Sequence, residues 1–69
     1  MNNVWVLSEG ETGRVGENMI AVYGTYETAI AELRQLALMA GGSDISESWA
    51  SASFSDGMFY TIIRQREVL

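Results

Sequence analysis

Sixty-nine residues carrying nine acidic side chains, four arginines and a formal net charge of -5 make one small acidic domain. With no cysteine, histidine or lysine, the chain lacks a thiol nucleophile, an imidazole base, a disulfide, a Cys/His zinc set, a Schiff-base amine and a phosphate-loop lysine. A pI near 4.3 opposes binding to a phosphate backbone, which needs a basic face.

A chain this short buries only about 60% of the surface it exposes when unfolded. Yet 48% of its residues are hydrophobic and its mean hydropathy is +0.06. That richness predicts one core plus further apolar surface, for which a partner or a second copy is the natural cover. The opening stretch, Met1-Asn2-Asn3-Val4-Trp5-Val6-Leu7, has no basic run ahead of its four apolar residues, and no stretch approaches the roughly 20 apolar residues of a membrane span. The reading is a soluble cytoplasmic protein, which the absence of cysteine fits.

In chain order, Val4-Trp5-Val6-Leu7 reads as a first strand and residues 19–23 as a second, ended by Gly24. Between them, residues 8–18 are polar, with glycines at 10, 13 and 16, and read as a long hairpin loop. From Tyr26 the period becomes helical. Tyr26, Ala29, Ile30, Leu33, Leu36, Ala37 and Ala40 share one stripe, while Glu27, Thr28, Glu32, Arg34 and Gln35 face away. Thr25 suits the N-cap, Glu27 the first turn, and Gly41-Gly42 a left-handed close. Leu38 and Met39 fall off the stripe, either as frayed last-turn residues partly covered by a loop or as a partner contact.

Residues 43–48 read as a polar linker, 49–54 as an alternating strand, 55–58 as a tight turn, and Phe59–Val68 as a long last strand. The expected fold is a single α+β domain over residues 1–69 in ββαββ order: one helix on one face of a four-stranded, mostly antiparallel sheet.

Asp56-Gly57 between two alternating runs is a strong hairpin signal. Taken as the two loop residues, they set Phe54 opposite Phe59, Ala52 opposite Thr61 and Ala50 opposite Ile63, an apolar face assigned to the core. The other face then pairs Ser53 with Tyr60, Ser51 with Ile62, Trp49 with Arg64, and Glu47 with Arg66. Trp49, Tyr60, Ile62 and Arg64 thereby form an amphipathic candidate binding surface of the residue types enriched at interface hot spots. The local alternative is Arg64 stacked on the Trp49 ring with no partner, for about 0.5–1 kcal/mol. In the first hairpin, Val4, Val6, Ile20 and Val22 point one way and Trp5, Leu7, Ala21 and Tyr23 the other. Both sets are apolar, which suits a sheet covered on both sides.

The ββαββ topology gathers Glu9, Glu11, Glu17, Asp44 and Glu47 at one end of the sheet, with Glu67 arriving beside them and Arg14, Arg64 and Arg66 offsetting part of the charge. This is either a solubilising end or, through Glu9, Glu11 and Glu17, a docking end for a basic partner surface. The glycines of GETGRVG are not a phosphate loop, because no Lys-Ser/Thr follows and a strand comes next. The loop glutamates match no EF-hand spacing, so no metal or other cofactor is expected. Two carboxylates without a walled cleft do not make a glycosidase, and no catalytic residue is assigned.

The pieces Val4-Trp5-Val6-Leu7, Val22-Tyr23-Gly24-Thr25, Glu27-Thr28-Ala29 and Phe59-Tyr60-Thr61-Ile62 resemble a pattern common in very small phage and bacterial ββαββ proteins of uncharacterised function. Among small acidic phage-type proteins, inhibitors of host defence such as anti-CRISPR proteins recur. By that analogy the resemblance implies a protein-binding inhibitor. The expected function is therefore a small non-enzymatic binding module. Its partner would be a host protein, one candidate being a basic surface of a nucleic-acid-binding complex. The alternatives are a homodimer or larger homo-oligomer packing through the sheet face, and a nucleic-acid binder stacking bases on Trp49 and Tyr60, which the charge disfavours.

Overall fold

Two ten-residue strands, β1 (Asn2–Glu11) and β5 (Phe59–Val68), lie antiparallel along their whole length, from Asn2 opposite Val68 to Glu11 opposite Phe59. The computed structural model describes residues 2–42, 44–48 and 51–68. The other elements are β2 (Asn18–Tyr23), α1 (Tyr26–Met39), β3 (Ser46–Ser48) and β4 (Ser51–Ser55). They complete one antiparallel sheet in the order β2-β1-β5-β4-β3, so the α+β class holds and the sheet has five strands rather than four.

The extra strand sits inside the segment read as a linker. Ser46-Glu47-Ser48 has no apolar residue for a pattern to register, and its place comes from the ladder to β4, Ser46 opposite Ser53 and Ser48 opposite Ser51. β1 outruns its apolar run for a similar reason. Residues 8–11 are polar or glycine, but the long β5 beside them satisfies their backbone groups, and the Thr12 N–H donates to the Met58 carbonyl at 2.8 Å beyond the strand end.

α1 crosses one face of this sheet. Its buried side chains, Ala29, Ile30, Leu33 and Ala37, meet Leu7, Ala52, Phe54 and Ile63. Leu7, Leu33 and Ile63 are fully buried. Of the two sets in the first hairpin, Trp5, Leu7, Ala21 and Tyr23 pack toward the helix, with Trp5 meeting Tyr26 edge-on at 4.9 Å between ring centroids. Val4, Val6 and Val22 take the other face. Ile20 leaves their set because the β1–β2 register shifts between Leu7 and Ser8.

The helix ends match the sequence reading. Thr25 Oγ1 accepts from the Thr28 N–H at 3.2 Å, and the Gly42 and Gly41 N–H groups donate to the Ala37 and Leu38 carbonyls. That pair of bonds, with Gly41 at φ 99°, is a Schellman close. Leu38 and Met39 are neither frayed nor covered, at 69% and 75% exposed, and Ala40 at the end of the stripe is exposed too.

The second hairpin turns one step later than the Asp56-Gly57 reading. Phe54 pairs with Thr61 and Ala52 with Ile63, so Gly57, at φ 100°, and Met58 sit at the tip. Asp56 shapes the turn instead: its Oδ1 accepts from the Met58 and Phe59 N–H groups at 3.0 and 2.8 Å. A register change of two residues preserves faces. Ala52, Phe54, Thr61 and Ile63 are accordingly buried as expected. Phe59 is not; it loses Phe54 as its opposite and is 51% exposed. Ala50 lies outside the described residues.

Candidate functional site

The face of the sheet away from α1 carries no second layer among the described residues. Down its middle run the alternate β5 side chains Tyr60, Ile62 and Arg64, facing Gly10, Ser8 and Val6 on β1 and Ser55, Ser53 and Ser51 on β4. Toward the β2 edge the surface is apolar, with Val22 51% and Met19 67% exposed. Toward the β3 edge it is hydroxylated, with the Ser48 and Ser51 side chains hydrogen-bonded at 2.9 Å.

Gly10 determines how Tyr60 lies. A Cβ on Gly10 would stand 2.5 Å from both Cζ and the hydroxyl oxygen of Tyr60. The ring therefore rests on bare β1 backbone, an approach that only glycine permits. Its hydroxyl donates to Glu17 Oε2 at 2.9 Å. Glu17 comes from the end of the β1–β2 loop, which brings the carboxylate over the open face. Arg64 grips the same carboxylate with both Nη atoms, Nη2 to Oε2 at 2.9 Å and Nη1 to Oε1. Bidentate geometry of this kind is the strong form of the arginine–carboxylate contact.

The electrostatics follow from those bonds. Donation from Arg64, and secondarily from Tyr60, holds the Glu17 carboxyl below its usual range. The same bonds push the Tyr60 phenol and the Arg64 guanidinium up. At neutral pH the cluster is a fixed anion between a fixed cation and a neutral phenol, and each partner is moved away from neutrality rather than toward it. Beside the cluster, Glu17, Asp44, Ser46, Ser53, Tyr60 and Arg64 line a shallow hollow of about 440 Å³.

The structure thus brings Tyr60, Ile62, Arg64 and Glu17 together on the open face, and Glu9 and Glu11 meet Glu17 only at the β1–β2 loop, where the three line a small hollow. Glu9 and Glu11 project from the opposite, helix-bearing face, Glu9 opposite Thr61 and Glu11 opposite Phe59, and Glu11 pairs with Arg14 at 3.2 Å. Trp49 lies outside the described residues. Ser51, not Trp49, stands opposite Arg64, and the guanidinium is engaged by Glu17. Glu47 is not opposite Arg66 but on β3 against Ala52, where it accepts from the Tyr26 hydroxyl at 2.6 Å and lies 3.9 Å from Arg34. Glu67 pairs with Asn3, at the far end of β1 from the loop, so the expected gathering of six acids does not form.

Sequence reasoning put Val22 on one face with Val4 and Val6 without settling which set meets the helix, and it missed Met19 and Glu17 as members of the open face. The Glu17–Arg64 contact spans 47 residues, and no local spacing announces it.

Among the described residues there is no group of three or more acidic side chains placed to hold a metal ion, and no helix long and apolar enough to cross a membrane. Compared with protein-family models, curated proteins and solved structures, the chain matches none of them.

Proposed function

We propose that this protein is a small, non-enzymatic protein-binding module that acts by occupying a surface on a larger protein through the open face of its sheet. The observation that carries the reading is the immobilised Tyr60–Glu17–Arg64 cluster beside the exposed Val22 and Met19. An aromatic and an arginine already held in place lose little freedom on docking, and neighbouring apolar side chains supply area to bury. The narrower role, an anti-CRISPR-like inhibitor encoded by a phage and directed at a host defence protein, rests on the resemblance of residues 4–7, 22–25, 27–29 and 59–62 and on the acidic charge.

Affinity capture from a bacterial lysate with three forms of the tagged protein tests this: wild type, Ile62→Asp and Arg64→Ala. A protein retained by wild type and lost with both variants, each verified as folded by circular dichroism, is the expected result. Equal retention by all three removes the open face as the interface.

A second reading uses the same face. The β1–β2 part of the surface carries Val4, Val6, Val22 and Met19, bordered on β5 by Arg64 and Arg66, and such an apolar patch also suits a second copy of the chain. Light scattering behind a sizing column separates the two readings: an Ile62→Asp-sensitive dimer at micromolar concentration supports self-association, and a monomer leaves the hetero-partner.

A further inference from the structure

A groove of about 570 Å³ lies on the opposite, helix-bearing face, between the C-terminal half of α1 and the projecting ends of β1 and β5. The sheet is longer than the helix that covers it, and at this end the core is left unroofed. Three large apolar side chains line the opening at high exposure: Ile20 at 48%, Phe59 at 51% and Met39 at 75%. Ile20 reaches it because the register shift in β2 takes it out of the open-face set. Three acids line the same groove: Glu9 from β1, Glu32 from α1 and Asp56 from the β4–β5 turn.

No arginine lines this groove, and none of the ion pairs among the described residues uses Glu9, Glu32 or Asp56. The C-terminal end of α1 opens here with no basic residue in its last turn, adding the negative end of the helix dipole. An apolar floor with a wholly anionic rim selects an occupant that is apolar on one side and cationic on the other.

We propose that this groove is a second binding site, independent of the open face, and that it takes a basic amphipathic segment of a partner protein. In this complex, leucine- or phenylalanine-like side chains enter between Ile20, Met39 and Phe59, and lysines or arginines meet Glu9, Glu32 and Asp56. A helical segment with apolar residues three and four apart presents that combination on adjoining faces.

The test uses a fluorescently labelled synthetic 18-residue peptide of leucine and lysine patterned as an amphipathic helix, and a scrambled peptide of the same composition. Fluorescence anisotropy should show the patterned peptide binding the full chain at micromolar concentration and the scrambled one at least about tenfold more weakly. Phe59→Ser and, separately, Met39→Ser should each weaken the patterned peptide by about tenfold. Met39 is mostly exposed, so its replacement leaves the fold intact. The Glu9→Gln/Glu32→Gln double variant should weaken binding severalfold and flatten its salt dependence. Ile62→Asp on the open face should leave it unchanged. Equal binding of the two peptides, no binding by wild type, or loss of binding only with Ile62→Asp would overturn the proposal.

Discussion

Tyr60 packs against Gly10, its cross-strand partner, at a distance that no side chain on residue 10 could share. This contact connects the pairing of the two central strands to the candidate site, because the ring's position sets where its hydroxyl meets Glu17. Gly10 reads in sequence as one of three loop glycines; its use is as a strand residue without a side chain. Replacement by alanine should lift the ring and break the Tyr60–Glu17 bond while the sheet persists. In nuclear magnetic resonance spectra, G10A should move the Tyr60 ring and Arg64 side-chain signals and leave those of Leu33 and Ile63 in place.

The fold itself rests on the other face. Leu33 and Ile63 are both fully buried where α1 crosses β5. Leu33→Ala should cost about 2–5 kcal/mol, the range for deleting a large aliphatic side chain from a close-packed core. In so small a domain that is a large part of the total. Urea unfolding measures it, and a loss under about 1 kcal/mol would mean that the site collapses freely around the missing atoms.

Helix α1 and the second hairpin each depend on one local feature. Thr25→Ala removes the side-chain acceptor for the Thr28 N–H and should cost roughly 1 kcal/mol. Gly57→Ala forces a Cβ into a backbone at φ 100° and should cost roughly 1–2 kcal/mol. These sites share no contact in the structure, so the double variant should lose the sum in thermal or urea unfolding.

Glu17 should contribute to the acid limb of the stability curve. Its folded-state pKa is depressed, first by Arg64 and then by Tyr60. Its contribution is therefore present above the unfolded value and is lost as pH falls through the lower folded value. Part of the ion pair is open to solvent, with side chains 40% and 24% exposed, so the effect is small, on the order of 1 kcal/mol or less. Glu17→Gln should flatten the fall in stability below about pH 4.5 without altering the curve's shape near neutrality. An unchanged acid limb would show that the carboxylate gains nothing from its partners in solution.

Periodicity made much of this fold legible. The helix stripe, its Thr25 and Gly41-Gly42 ends and the whole of β5 are local patterns of side-chain spacing, and they appear in the structure nearly residue for residue. The buried face of the second hairpin was also legible although its register was not, since a two-residue slip moves partners without turning a side chain over. What was hidden depends on backbone pairing and turn hydrogen bonds, which side-chain spacing does not record. β3 has no apolar residue, the polar end of β1 is a strand because β5 lies beside it, and Asp56 bonds to the turn backbone rather than occupying the tip. For the candidate site, alternation placed Tyr60, Ile62 and Arg64 on one face. Of the acids grouped by charge, Glu9, Glu11 and Glu17 do line one small hollow at the β1–β2 loop, whereas Glu47 and Glu67 stand elsewhere because β3 and the end of β5 pair away from that loop.

Amide hydrogen exchange on the protein, free and bound to the partner recovered by capture, tests the open-face account most directly. Slowed exchange is expected along residues 60–64 and 19–22, with the helix amides of residues 29–37 unchanged. Protection confined to the helix and the 56–59 turn, with residues 60–64 exchanging as in the free protein, would contradict the open face as the principal interface.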